Sequence, residues 1–177
     1  KYFLMNDIDL AGYDWTAVGT YDNPFAGEFN GNGYVISNLT INEPTKQFQG
    51  LFGVGDARTS YSNVGLENVN VKGGAATGGL IGSGAVYIDN CYVTGAVSGD
   101  YRVGGVVGDF GGMNLSVTNC YTSCDVVGTN YVGGIIGSGY AIIRNCHSNS
   151  KVTGRSDVGG IIGDGCSYMY DSFSTGF

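Results

Sequence analysis

A chain of 177 residues with 33 glycines, 2 prolines and 42% hydrophobic residues is too apolar for a disordered segment and lacks the proline content and three-residue period of collagen. Its formal net charge of −7, with only 8 Lys and Arg and no basic cluster, excludes nucleic acid as an expected partner, because phosphate neutralisation needs positive charge. No apolar run approaches the roughly 18 residues that a membrane-spanning helix needs, so no membrane insertion is expected.

Residues 1–48 read as an N-terminal capping segment plus a first coil. Lys1-Tyr2-Phe3-Leu4-Met5 runs directly into Asn6-Asp7 and has no signal-peptide apolar region. Asp7-Ile8-Asp9-Leu10 alternates, and Trp15, Val18, Phe25 and Phe29 supply bulky apolar groups. Asn30-Gly31-Asn32-Gly33 marks a tight turn with positive φ, after which Tyr34 to Ile41 reads as strand. With no initiator Met and an end in mid-repeat, the chain reads as part of a larger protein, covalently continuous with further domains.

Residues 49–177 are repeats of the same single domain. Gly78-Gly79-Leu80-Ile81-Gly82, Gly104-Gly105-Val106-Val107-Gly108, Gly133-Gly134-Ile135-Ile136-Gly137 and Gly159-Gly160-Ile161-Ile162-Gly163 are copies of one line, with a worn copy at Gln49-Gly50-Leu51-Phe52-Gly53. The second position of each copy steps by 29, 26, 29 and 26 residues. Asn90-Cys91-Tyr92, Asn119-Cys120-Tyr121 and Asn145-Cys146-His147 keep the same step, with degenerate forms at Asn63-Val64-Gly65 and Asp171-Ser172-Phe173. Periods of this size belong to solenoids.

Each repeat parses as three short strands; in one, these are Gly133–Gly137, Ala141–Arg144 and Cys146–Gly154, separated by Gly, Ser, Asn and Asp. Glycine this dense opposes helix by about 1 kcal/mol per residue. The expected fold is therefore all-β, a right-handed parallel β-helix with coils of about 26–29 residues. At about 4.8 Å per coil the rod would be about 30 Å long. A leucine-rich horseshoe fits poorly, since the seven leucines do not repeat in register.

Stacking places like residues on like. Ile88, Val117, Ile143 and Met169 should form one internal column, and Val64, Cys91, Cys120, Cys146 and Ser172 another. Cys124 and Cys166 fall at non-equivalent positions, and no disulfide framework is expected. Asn38, Asn63, Asn90, Asn119 and Asn145 are expected at bends, each amide bonding the next in a ladder. If the cysteines point inward, Tyr92, Tyr121, His147 and Phe173 point outward in a row. That row, with Tyr101 and Tyr131 in nearby loops, is the candidate ligand-binding surface for a glycan or a host surface protein; the competing reading is an aromatic ladder that only stabilises the stack.

The paired glycine and Asn-Cys-Tyr lines, with the run Leu4 to Leu10 followed by Trp15, Gly19, Phe25, Gly27, Phe29 and Gly31-Asn32-Gly33, resemble the GLUG-motif repeat over essentially the whole chain. That resemblance implies a right-handed parallel β-helix in a large secreted or surface-anchored bacterial protein, of the adhesin-like kind or flanking the catalytic domain of an IgA-cleaving peptidase. It implies an extracellular or cell-surface location, a scaffold or binding role, and no catalytic residues. His147 and Phe173, and Gly65 in the first repeat, depart from the usual Tyr.

Independent signs of chemistry are sparse. One histidine, His147, cannot furnish a zinc protease or a nucleophile elbow. A carbohydrate-active enzyme would need paired carboxylates, for which Asp100, Asp125 and Asp157 with Arg102 and Arg155 are the candidates; turn geometry explains them equally well. Asp7, Asp9 and Asp14 or Asp22 could ligate calcium, but no matching repeat is present. No cofactor or metal is expected. The glycine lines lack the Lys-Ser/Thr of a phosphate loop. The sequence thus points to a non-catalytic module, with a polysaccharide lyase or hydrolase and an accessory domain of a secreted peptidase as alternatives.

Overall fold

The computed structural model describes residues 1–165 and 168–176, with the side chains of 113 and 114 left aside. Cys166 and the side chain of Asn114 therefore lie outside the described residues. Every described regular element is a strand, and every pairing is parallel, giving a β-solenoid of about six turns.

Each coil visits three faces. In the fifth coil the short face is Asn130–Gly133, the bent face Ile136–Arg144, and the broad face His147–Ser148 and Lys151–Thr153. Four strands stack in the short face, ten in the bent face and nine in the broad face. The glycine line does not form a strand by itself. It straddles the corner between the short and bent faces, with Gly134 and Ile135 in the bend.

Steric demand explains that line. A β-carbon on Gly134 would collide with Ser148 Oγ across the lumen and with the carbonyl of Gly160 in the next coil. One on Gly137 would lie 2.5 Å from Val103 N and from Arg102 C in the coil below. The short and broad faces close on each other so tightly that only glycine fits.

Apolar columns fill the lumen. Ile88 pairs with Val117, Val117 with Ile143 and Ile143 with Met169; the first three are fully buried. Leu66, Leu80, Ile81, Ile135 and Ile136 are equally buried. At the N-terminal end the column is aromatic: Phe52 packs 4.6 Å from Tyr61 and 4.9 Å from Phe25, centroid to centroid. Trp15 is held by a 3.0 Å bond from its Nε1 to the Leu51 carbonyl. The first coil has few strands, yet bridges Val18–Phe52 and Phe25–Gly55 tie it in parallel to the second, as Asp14–Thr40 ties the segment before it to the first.

Coils of unequal length stay in register because surplus residues are expelled. Between Phe110 and Leu115 the chain spans four residues, where the next coil uses only Tyr140 between Gly139 and Ala141. That difference accounts for the 29-residue step from Gly105 to Gly134.

Candidate functional site

The corner between bent and broad faces is built by asparagine. Asn63, Asn90, Asn119 and Asn145 have φ of 53°, 52°, 53° and 50°, and Asp171 follows at 46°. This left-handed conformation is one that Asn tolerates better than most residues. Each amide reaches to the coil below: Asn90 Nδ2 donates to Asn63 Oδ1 (2.8 Å), Asn119 Nδ2 to Asp89 Oδ1 (2.8 Å) and Asn145 Nδ2 to Asn119 Oδ1 (3.2 Å).

Asn38 belongs elsewhere, which corrects the expected ladder. Pairing of Phe29 with Tyr61 sets the register of the first coil, and Asn30 pairs with Ser62, so Gly31 lies beneath Asn63. Asn38 lies within the broad face in a second ladder: its Nδ2 donates to Asp9 Oδ1 (2.7 Å) and its Oδ1 accepts from Asn68 Nδ2 (2.6 Å). Aspartates considered for calcium serve as hydrogen-bond acceptors here, Asp7 from Val35 N and Asp9 also from Ala11 N. No metal-binding cluster of His, Cys, Asp or Glu exists among the described residues.

After the asparagine corner the chain alternates in and out. Cys91, Cys120 and Cys146 are buried and unpaired as disulfides, as is Cys124. Their thiols donate to nearby carbonyls, Cys120 to Thr118 O at 3.0 Å. Burial pushes the Cys120 thiol well up, and the hydrogen bond with Cys120, then burial, raises Cys146. Protonated and shielded thiols are poor nucleophiles. Cys124 pairs with Gly95, and its N–H donates to Ser150 Oγ.

The next residues form a continuous outward stack. Tyr92 and Tyr121 lie 4.8 Å apart with planes 6° from parallel, Tyr121 and His147 5.1 Å and 7°, His147 and Phe173 5.5 Å and 12°. Tyr92, at the lower end, lies over Gly65 and donates to Glu67 Oε1 at 2.6 Å. Burial and then that bond raise the Tyr92 hydroxyl. Rings stacked this closely cover one another's faces. What remains open are ring edges and the Tyr121 hydroxyl.

Tyr101 and Tyr131 sit apart on the short face, separated from the stacked Tyr92 and Tyr121 by the length of the broad-face strand. They are not equivalent positions, since Tyr101 pairs with Asn130 and Tyr131 is one residue further on; their rings are 6.4 Å apart and tilted.

Acidic candidates are dispersed. Asp125 lies mid-strand on the broad face, Asp100 in the turn that leaves it and Asp157 on the short face with φ of 54°. Arg102 pairs with Asp109 at 3.4 Å, not with any of the three. Burial raises the Asp109 carboxyl while Arg102 opposes the shift. The largely apolar concavity of about 260 Å³ at the N-terminal end, lined by Trp15, Phe25, Phe29 and Phe52 among others, offers no acid, base or nucleophile.

No family model matches the chain. Over 119 residues it is 32% identical to halomucin of Haloquadratum walsbyi, a stretch that is 62% of this chain and 1% of that protein. Over 99 residues it is 36% identical to a protein of Evansella cellulosilytica named a putative Gly-rich membrane protein, covering 51% of this chain and 12% of that one. A solved structure described as a putative immunoglobulin A1 protease from Bacteroides ovatus superposes with a TM-score of 0.78 at 28% identity, over 98% of this chain and 60% of that one. The chain is thus a parallel β-solenoid that matches only part of the length of each of these larger proteins.

Proposed function

We propose that this chain is a non-catalytic module of the GLUG-repeat kind within a larger bacterial surface or secreted protein, serving as a rigid stalk that presents a binding surface to glycan or to a host protein. The observation that carries this reading is the coil-upon-coil stacking of the corner amides, which passes through Asp89 at one step, and of the aromatic rings. Such ladders stiffen a rod, whereas the carboxylates that a glycosidase would pair lie on different faces. Similarity to part of halomucin and to part of a protein named for a membrane supports a cell-surface setting.

A second reading, an accessory segment beside a peptidase domain, is favoured by the likeness to the structure described as an immunoglobulin A1 protease. Its chemistry would reside outside these residues.

A glycan array and a polysaccharide-degradation screen, run together on the 177-residue chain, test the proposal. Binding without turnover is expected. Turnover that survives purification and is lost on substitution of Asp100, Asp125 or Asp157 would overturn the non-catalytic reading.

A further inference from the structure

The broad face is irregular around Gly95. Below Gly95 the register shifts, because Asn68 is inserted between residues paired with Val93 and Gly95. Above it the fifth-coil strand breaks at Asn149 and Ser150, between His147–Ser148 and Lys151–Thr153. The break is held by side chains: Ser150 Oγ accepts from Cys124 N at 3.0 Å and donates to Thr122 Oγ1 at 3.1 Å. Gly95, at φ 121°, lies so close to the Val69 backbone below that a β-carbon would collide with its carbonyl oxygen. The result is a depression of about 300 Å³ lined by Gly95, Ser123, Cys124, Asp125, Asn149 and Lys151.

Its charged groups, Asp125 and Lys151, are placed side by side as in-register neighbours, yet neither joins an ion pair among the described residues. Asn149 Oδ1 accepts from Thr175 Oγ1, which orients the amide. Ser123 is exposed beside them, and the hydroxyl-bearing Tyr121 begins the same strand.

We propose that this depression binds a segment of uncharged polysaccharide. An acceptor-only carboxylate, a donor-only ammonium, an amide and a hydroxyl together match vicinal hydroxyls, each of which donates and accepts. A peptide strand cannot add at Asp125, since Tyr121–Val127 is paired on both sides within the sheet. A polyanion would meet Asp125 and the net charge of −7. The stacked rings contribute edges and a hydroxyl, not faces, so single-site affinity is low. This inference rests on the glycan-presenting reading above and gives it a location.

The test is a nuclear magnetic resonance titration of the isotope-labelled chain with neutral hexasaccharides (cellohexaose, laminarihexaose, mannohexaose and chitohexaose) and with polygalacturonate as the charged comparison. Amide shifts confined to residues 94–96, 121–125 and 147–151 with at least one neutral probe, weakened about tenfold in Asp125→Ala at unchanged melting temperature, are expected. Shifts centred elsewhere, or seen only with polygalacturonate, would overturn this site while leaving glycan binding by the module intact. Silence from every probe would overturn both.

Discussion

Tyr92 lies over Gly65, and its hydroxyl is 2.6 Å from Glu67 Oε1. The missing side chain at 65 makes room for the lowest ring of the stack to tip onto the coil beneath. Gly65→Ala should push that ring off Glu67 and cost about 1 kcal/mol, the net worth of one such hydrogen bond. Denaturant midpoints of Gly65→Ala, Tyr92→Phe and the double variant decide the matter: strongly non-additive losses are expected, and additive ones would mean that the two residues do not act through the shared bond.

Rungs differ by position. Tyr121 is stacked on both sides and Phe173 on one only. At about 0.5–1.5 kcal/mol per aromatic pair, Tyr121→Ala should cost about twice as much in pair energy as Phe173→Ala. Thermal unfolding of the two variants should preserve that order.

Asn119 combines φ of 53° with bonds to Asp89 below and Asn145 above. Asn119→Gly keeps the backbone at ease and loses only the amide, about 1 kcal/mol. Asn119→Ala adds about 1 kcal/mol of left-handed strain. A melting temperature lower for the alanine variant than for the glycine variant is the expected outcome.

Gly134 has no room for a side chain, since Ser148 and the Gly160 carbonyl occupy it. Gly134→Ala should therefore be among the most damaging small substitutions in the chain, read as loss of soluble, strand-rich protein by circular dichroism. Gly12→Ala is the control, because nothing lies within 4 Å of its added carbon and only its φ of 79° is strained.

Burial raises the Cys124 thiol from an ordinary 9.0 to about 12. The folded state thus favours the protonated thiol, and this contribution to stability is complete below pH about 9 and lost as pH climbs toward 12. Stability should be flat at neutral pH and fall through that alkaline window. Cys124→Ala should make the fall shallower by up to about 1.4 kcal/mol per pH unit; equal slopes would place the titration elsewhere.

Period, faces and the in-out alternation of Cys and Tyr could be read in the sequence because stacking repeats each chemical demand every coil. Asn38 misled because two ladders use the same residue in the same left-handed conformation, and only the strand register that pairs Phe29 with Tyr61 says which one a given Asn joins. The off-register pair Tyr101 and Tyr131 had a signal: counted back from the glycine pairs, Tyr101 is three residues before Gly104 and Tyr131 two before Gly133. The depression at Gly95 had none. It arises from a bulge in one coil and a break in another, and only their vertical alignment makes a concavity.

The bulge of three surplus residues within the bent face, between Phe110 and Leu115, leaves the pairing on either side parallel. That bulge is consequently a graft point. Short foreign loops inserted there should be carried on the side of the rod without disturbing the coils above or below, so that the decoration of the shaft is set independently of its height.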